Sequence, residues 1–163
     1  SRLRPMTGSE YANLVAAYLA HNFVERGLEV YREVNVGKSI IGKNRRVDLV
    51  ALDTNQNRAM AIECKYQGTA GTTDEKVPYA LQDLEAMRMP SCAVYAGDGW
   101  SAGVRHMLEG SALAAYCLPD PLTLKRSAQT CELDHMLAQA FSWWDVLLAD
   151  RATFDLSQWR DGQ

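Results

Sequence analysis

The sequence predicts an α/β domain in which helices flank a central mixed β-sheet and an extra helix follows at the C-terminal end. Two observations predict this fold class. Short apolar runs typical of buried strands recur along the chain, and segments with apolar residues at helical spacing lie between and beyond them. The 163 residues, 47% of them hydrophobic and 23% charged, suit one soluble domain with a substantial core.

The first predicted element is a helix that begins after Thr7-Gly8-Ser9 and ends at Gly27. Thr7 or Ser9 can cap its N-terminus. Its apolar residues recur at helical spacing, namely Leu14, Val15, Tyr18, Leu19 and Phe23. Glu10 lies in the first turn, where a carboxylate complements the helix dipole.

Three strands are predicted to follow this helix, and each is an apolar run bounded by turn residues. The runs occupy residues 28–36, 47–52 and 59–65. A charged hairpin tip around Gly42 separates the first strand from the second.

The second and third strands are expected to form an antiparallel hairpin, because segment 53–58 between them has turn chemistry. If it closes symmetrically around Asn55-Gln56, the numbers of paired residues sum to 111 and Asp48 lies opposite Glu63. Side chains opposed in this way have β-carbons about 4.5–5.5 Å apart, and like charges there are destabilising. Two carboxylates held together in a mostly apolar sheet therefore require a cation between them.

Strand alternation adds further polar groups to the face that carries the carboxylates. Glu63, Lys65 and Gln67 share one face, and Cys64 points to the other. Hard divalent ions such as Mg²⁺ take oxygen ligands and are often held by one or two carboxylates plus substrate phosphate. This set of groups is what metal-assisted phosphodiester hydrolysis requires, although charges on a hairpin are also commonly a solvated surface.

Asp48, followed by Glu63-Cys64-Lys65 at the end of the next strand, resembles the PD-(D/E)xK nuclease superfamily. The resemblance covers roughly residues 7–117, and Val47 stands where the family name has proline. It implies a restriction-endonuclease-like core that runs helix, three strands, helix, strand. It also implies a deoxyribonuclease that depends on Mg²⁺ or Mn²⁺.

The resemblance implies roles for individual residues of the hairpin. Asp48 and Glu63 are expected to hold the metal ion together with the backbone carbonyl of Cys64, and Lys65 to stabilise the nucleophile. Gln67 resembles a glutamine that follows the lysine in a subset of the family, and we expect it to position the lysine or a phosphate. Whether one or two metal ions bind stays open.

Two roles stay open for Glu10. Many members of the family add a glutamate from the first helix, which contributes to a second metal ion or to water positioning, and Glu10 resembles it. The alternative is the helix-dipole role that any acidic residue has in a first turn.

The remaining part of the core is predicted to start with a mobile Gly/Thr loop over residues 67–73. The elements expected after it are a helix capped by Thr73 or Asp74, a strand at 91–96, a helix from Ser101 to about Gly110 and a strand at 112–118.

Pro119-Asp120-Pro121 breaks the chain and suggests a boundary. We expect residues 1–118 to form the nuclease core and residues 119–163 to form a helical appendage with one helix over 129–150. The appendage packs on the core or forms an oligomer surface. A homodimer and a place within a larger protein both stay open.

The charge balance gives only local support for DNA binding. The net charge is −3 and the pI is about 5.6, which argues against a large basic footprint. A local patch without acidic residues consists of Lys38, Lys43, Arg45 and Arg46, and it leads directly to Asp48. Lys76 follows the Gly/Thr loop and is a further candidate phosphate contact. The alternative for these residues is a solvated hairpin tip and helix face.

The cysteines and histidines give no sign of a zinc site. The four cysteines are widely spaced without a CxxC motif, and the three histidines are isolated. Buried free thiols predict a reducing compartment and hence a cytoplasmic protein. No apolar stretch approaches the roughly 20 residues of a membrane helix.

The sequence therefore predicts a metal-dependent DNA endonuclease, either restriction-type or structure-selective like a junction resolvase. A first alternative is a catalytically inactive nuclease-fold module that binds DNA or another partner. A second is an ordinary binding domain for an acidic or small-molecule partner, with the charged hairpin exposed. Burial of Asp48 and Glu63 beside one another would distinguish the nuclease-fold hypotheses from the ordinary binding domain.

Overall fold

A computed structural model describes residues 6–162 of the chain. Its centre is a five-stranded mixed sheet in which the strands lie in sequence order. The first three strands pair antiparallel, and the last two continue the sheet in parallel. The strands are β1 (Leu28–Lys38), β2 (Asn44–Asp53), β3 (Arg58–Tyr66), β4 (Ser91–Ala96) and β5 (Ala114–Tyr116). The predicted α/β fold class with a mixed sheet is confirmed.

Helices cover both faces of this sheet. The α-helices of the described part of the chain are α1 (Gly8–Phe23), α2 (Val77–Glu85), α3 (Ala102–Glu109), α4 (Cys131–Phe141), α5 (Trp144–Leu148) and α6 (Leu156–Asp161). Short 3₁₀ segments precede α2 at Thr72–Lys76 and follow α1 at Val24–Arg26. Helices α1 and α4 pack on one face, and α2 and α3 pack on the other.

The α1 helix starts at a capping box formed by Thr7 and Glu10. Thr7 Oγ1 accepts from the Glu10 backbone N–H, and Glu10 Oε1 accepts from the Thr7 backbone N–H, each at 3.1 Å. Two N–H groups that the helix cannot satisfy are thereby bonded. After the 3₁₀ turn, Gly27 adopts φ 84° and turns the chain into β1.

The apolar core has two halves because the middle of the sheet is covered on both faces. One half joins α1 and α4 to alternate residues of β2, β3 and β4, and Leu49, Ile62 and Val94 are completely buried there. The other half packs α2 and α3 against the opposite side of β4, around Ala93 and Tyr95. Near-continuous apolar runs in β3 and β4 follow from this double coverage.

The helix predicted over residues 129–150 is wrong as a single element. The structure ends α4 at Phe141, places Ser142 at φ 59° and restarts the helix at Trp144. The break brings the Trp143 indole into the core, where it lies 5.4 Å from the Phe23 ring and donates to Asp53 Oδ2 at 3.1 Å. These tertiary contacts override the helical periodicity.

Other differences are confined to element ends and the C-terminal segment. The last strand covers only Ala114–Tyr116, and the helix expected from Thr73 or Asp74 becomes regular only at Val77. Helix α6 was not predicted. Helix α4 shares one apolar core with α1 through Leu133, Leu137 and Phe141.

Within residues 6–162, no helix has the length and apolar character needed to cross a bilayer. The four cysteines are free thiols, and Cys64, Cys92 and Cys117 are buried.

Candidate active site

The β2–β3 hairpin has the register that the sequence predicts. Paired residues run from Leu49 and Ile62 to Asp53 and Arg58, and the numbers of each pair sum to 111. One step beyond the ladder, the same register places Asp48 beside Glu63, and the two carboxyl groups lie close enough to interact electrostatically. The turn between the strands supports this register, because Asp53 Oδ1 accepts a hydrogen bond from the backbone N–H of Asn55 at 3.0 Å.

Asp48 is held in place by one hydrogen bond from each neighbouring strand. Its Oδ2 accepts from the Cys64 backbone N–H at 2.7 Å. Its own carbonyl accepts from Arg32 Nε of β1 at 3.3 Å. Asp48 is therefore positioned by β1 and β3 together.

Glu63 carries the most informative electrostatic signature of this site. Burial, and then the negative charge of Asp48, raise the pKa of the Glu63 carboxyl to about 7, against the opposing effect of Lys65. Lys65 Nζ lies 4.0 Å from Glu63 Oε2, and the two side chains are 24% and 20% exposed. The groups are thus partly desolvated and close enough to influence each other's charge.

Alternation along β3 separates these groups from Cys64. Glu63 and Lys65 lie on the side of the sheet that faces α2, whereas the Cys64 side chain belongs to the core half beneath α1. Burial raises the pKa of the Cys64 thiol well above its usual value. The thiol is therefore inert, and only the backbone groups of Cys64 are available to the site.

The donor set fits a hard divalent cation. In the part of the chain that the structure describes, three or more His, Cys, Asp or Glu side chains nowhere converge as a metal cluster. Two neighbouring carboxylates are nevertheless enough for an ion that also uses backbone and substrate oxygens. Burial raises the Glu63 pKa most, and positive charge between Asp48 and Glu63 would offset the repulsion that adds to this rise.

A cleft of about 330 Å³ opens above Glu63 and Lys65. One wall is the β1–β2 hairpin tip with the start of β2, and the other is the first turns of α2. Its remaining lining residues are Ser39, Lys43, Asn44, Arg45, Arg46, Lys76, Tyr79, Ala80 and Asp83. Four of the five cations predicted to contact DNA therefore line the same cleft as the carboxylate site. Lys38 instead lines a separate groove with Met87 and Arg88.

Arg45 is already paired within the protein, and a contact between Arg45 and DNA stays a prediction. It is only 9% exposed and makes a two-point ion pair with Asp83, with Nε 2.9 Å from Oδ2 and Nη2 bonded to Oδ1. Asp83 also accepts from the Ile40 backbone N–H at 3.2 Å. The Arg45 charge is thus satisfied inside the protein, where it ties the hairpin tip to α2. Arg46 is exposed and pairs with Glu33 at 2.7 Å.

Gln67 lies directly after β3 and holds the following loop. Its Nε2 donates to Asp74 Oδ1 and to the Gly99 carbonyl, both at 2.8 Å. Its Oε1 is buried without a hydrogen-bond partner among the described residues. The chain passes so close here that a Cβ on Gly97 would lie 2.2 Å from the Gln67 carbonyl oxygen. The hydrogen bonds of this side chain therefore hold the loop, and its role toward Lys65 or a phosphate stays a prediction.

Glu10 lies at the start of α1, which packs on the sheet face opposite Glu63 and Lys65. Its carboxylate takes part in the capping box with Thr7. A second role at the metal site stays a prediction.

The sequence pattern does not single out Asp83, and it gives Asp74 only a capping role at the helix after the Gly/Thr loop. Asp83 fixes one wall of the cleft, and Asp74 joins Gln67 to the start of α3 by accepting from the Ser101 backbone N–H at 3.3 Å. Both look like ordinary surface positions of a helix or turn. Asp83 lies 38 residues from its partner Arg45, and Asp74 lies 27 residues from Ser101. Local sequence patterns therefore give no sign of these two contacts.

Three solved structures are distantly similar to this chain. A repair endonuclease from Pyrococcus abyssi is 18% identical, with 70% of this chain and 47% of that chain covered and a TM-score of 0.38. A complex of EndoMS with double-stranded DNA is 19% identical, with coverages of 70% and 45% and a TM-score of 0.37. A crystal structure of a protein of unknown function is 16% identical, with coverages of 63% and 56% and a TM-score of 0.41. The chain thus spans about half the length of these structures.

No curated protein matches the chain. The family described as "PD-(D/E)XK nuclease superfamily domain" matches residues 7–144, which include every element from α1 to α4. This match covers most of the chain and contains Asp48, Glu63 and Lys65. The chain therefore belongs to the PD-(D/E)xK nuclease superfamily.

Proposed function

We propose that this protein is a metal-dependent DNA endonuclease that hydrolyses phosphodiester bonds. The observation that carries the proposal is the placement of the Asp48 and Glu63 carboxyl groups beside each other, with Lys65 Nζ 4.0 Å from Glu63 Oε2. Nucleases of this superfamily generally use divalent metal ions. Two partly buried acids beside each other are not expected of a merely solvated hairpin.

Asp48 and Glu63 are the residues that would hold the ion, with the backbone carbonyl of Cys64. Mg²⁺ or Mn²⁺ there would supply a lowered pKa for water and a polarised phosphoryl oxygen. The chain itself contributes a fixed Asp48, because the Cys64 N–H and the Arg32 guanidinium restrain it. It also contributes a partly desolvated setting in which charges act strongly.

Lys65 is proposed to stabilise the nucleophile or the negative charge that develops on the phosphate. A protonated lysine has three donors and no acceptor, so it does not ligate the metal ion. Because Lys65 lies beside Glu63, its positive charge would be close to a phosphate or nucleophile bound at the carboxylates. Preorganised cations of this kind stabilise transition states because they need no reorientation during the reaction.

Lys43, Lys76 and Arg46 are proposed to hold the DNA backbone. They line the cleft that contains Glu63 and Lys65. Phosphate contacts of this kind position the strand without reading its sequence. Restriction-type and structure-selective cleavage are both compatible with this arrangement.

Cleavage assays on plasmid, linear, nicked, branched and single-stranded DNA test the proposal, each with Mg²⁺, Mn²⁺ or EDTA. We expect cleavage with a divalent ion, none in EDTA and none for Asp48→Asn. Asp150→Asn removes an exposed carboxylate after α5 and serves as the matched control with normal cleavage. If the wild type binds DNA but cuts none of these substrates with either ion, the protein is instead a catalytically inactive nuclease-fold module.

A further inference from the structure

The shape and charge of the cleft bear on which DNA enters it. Its volume of about 330 Å³ lies at the lower end of the range for small-molecule sites, which is roughly 300–1,000 Å³. Of the five cations that line it, Arg45 and Arg46 are paired with Asp83 and Glu33, and the others are Lys43, Lys65 and Lys76. The chain as a whole carries a net charge of −3. A few phosphates of one strand match this small cationic set better than the long backbone footprint of a duplex does.

The walls of the cleft are tied together. Arg45 comes from β2 and Asp83 from α2, and their ion pair has side-chain exposures of 9% and 16%. The Ile40 backbone N–H adds a second attachment of the hairpin tip to Asp83. Widening the cleft to admit a duplex would break these contacts, and breaking a largely buried ion pair is costly.

Tyr79 supplies an aromatic surface on one of these walls. It is 41% exposed and lines the cleft beside Lys76. The helix that carries it packs through other residues, namely Val77, Leu81 and Leu84. The ring is therefore not required for the core and is available to a ligand.

From these features we infer that the cleft takes one unpaired DNA strand and that a base of this strand stacks on the Tyr79 ring. Aromatic rings within a cationic groove are how proteins hold single strands without reading their sequence. The substrate class is thus single-stranded DNA or DNA with an unpaired stretch, such as a flap, gap or end. This inference rests on the proposed nuclease function and specifies its substrate.

Fluorescence anisotropy tests the inference separately from cleavage. The probes are a fluorescein-labelled single-stranded oligonucleotide and its blunt duplex. Ca²⁺ replaces Mg²⁺ in these titrations, because both are hard cations that bind oxygen ligands. We expect the wild type to bind the single strand more tightly. Tyr79→Ala should lower single-strand affinity about 5- to 150-fold, as loss of one stacked base does, with a smaller loss for the duplex. Tyr79→Phe should recover most of the affinity that Tyr79→Ala loses.

Tyr31→Ala is the matched control, because Tyr31 is a 45% exposed tyrosine on β1 outside the cleft, and it should bind like the wild type. Thermal unfolding monitored by circular dichroism verifies that each variant is folded. Duplex binding as tight as single-strand binding, no measurable binding of either probe, or equal losses for both probes in Tyr79→Ala would overturn the inference. Because cleavage is scored separately, a wild type that cuts DNA but prefers the duplex refutes this inference alone. A wild type that cuts no DNA refutes the nuclease proposal.

Discussion

The Glu63 carboxyl group lies beside the Asp48 carboxylate, whose Oδ2 is held 2.7 Å from the backbone nitrogen of Cys64. Burial and this neighbouring charge raise the pKa of Glu63 to about 7. Near neutral pH, Glu63 is therefore only partly ionised in the metal-free protein. Ionisation of Glu63 beside Asp48 is therefore unfavourable, and binding of a proton or a metal cation reduces this unfavourable energy.

The first prediction is that the metal-free protein loses stability as pH rises. The pKa of Glu63 is raised from 4.5 in the unfolded chain to about 7 in the folded protein. The folded state therefore binds more protons between these values, and the free energy of unfolding falls with rising pH. Each unit of pKa shift corresponds to about 1.4 kcal/mol, so this one group costs at most about 3 kcal/mol.

Urea unfolding in EDTA from about pH 5 to about pH 8 measures this loss. Glu63→Gln should remove most of this pH dependence and be more stable than the wild type at the alkaline end. Glu25→Gln removes an exposed carboxylate in the 3₁₀ turn after α1 and should keep the wild-type profile. An identical pH profile in Glu63→Gln and the wild type contradicts the assigned coupling.

The second prediction concerns the binding of Mg²⁺ and Mn²⁺. Asp48→Asn and Glu63→Gln should each weaken binding in titration calorimetry, because each removes one of two carboxylate ligands. Wild-type affinity should also fall as pH drops below about 7, since the metal ion then competes with the Glu63 proton. Unchanged affinity in both variants would mean that the ion binds elsewhere.

The hairpin of the site could be predicted from sequence because its determinants are local. Turn chemistry at 53–58 and period-2 alternation set the register, and Asp53 closes the turn through its contact with the Asn55 N–H. β4 was predicted with the bounds Ser91–Ala96 that the structure has, because a buried parallel strand is one short apolar run.

Other features depend on contacts between distant parts of the chain. The break after α4 follows from Trp143 bonding to Asp53, 90 residues away. Arg45 is paired within the protein because Asp83, 38 residues away in the chain, packs against it. A local pattern indicates that a residue is charged or aromatic, but its partner is decided by tertiary packing.

The third prediction separates Arg45 from the cations that are free to contact DNA. Arg45→Met should destabilise the protein by about 2–4 kcal/mol in urea unfolding, because Asp83 is left with an unpaired, largely buried charge. Asp83→Leu added to Arg45→Met should recover part of this loss, since the orphaned charge is removed. No recovery in the double variant would contradict the ion-pair explanation.

Lys43→Ala and Lys76→Ala should change stability by less than about 0.5 kcal/mol, because both side chains are exposed. Each should instead weaken DNA binding and flatten its salt dependence, as loss of a phosphate contact does. Anisotropy titrations at several salt concentrations give both quantities. A variant with the wild-type slope has no phosphate contact at that lysine.

The fourth prediction concerns the close approach of the 97–99 turn to the loop after β3. Gly97 has φ 103°, and an added Cβ would lie 2.2 Å from the Gln67 carbonyl oxygen. Gly97→Ala should therefore destabilise the protein by more than about 2 kcal/mol. Gly103→Ala is the control, because nothing lies within 4 Å of its Cβ and alanine favours helix α3. Thermal unfolding should show opposite shifts for the two variants.

The fifth prediction separates catalysis from binding at Lys65. Its ammonium group cannot ligate a cation, and its proposed partner is the charge that develops during attack on phosphorus. Lys65→Ala should therefore lower the cleavage rate by about 10²–10³, the usual cost of losing one preorganised electrostatic partner. Lys65 opposes the rise of the Glu63 pKa, so Mn²⁺ affinity should be compared at about pH 8, where Glu63 is largely ionised in the wild type.

At that pH, calorimetry should give Mn²⁺ affinity close to that of the wild type, and anisotropy should show that most DNA affinity is kept. Lys125→Ala removes an exposed lysine outside the cleft and should cut DNA normally. Cleavage by Lys65→Ala at the wild-type rate would refute the role given to this residue. A parallel loss of metal binding and cleavage would instead show that Lys65 maintains the carboxylate site, because removing its positive charge then prevents Glu63 from ionising.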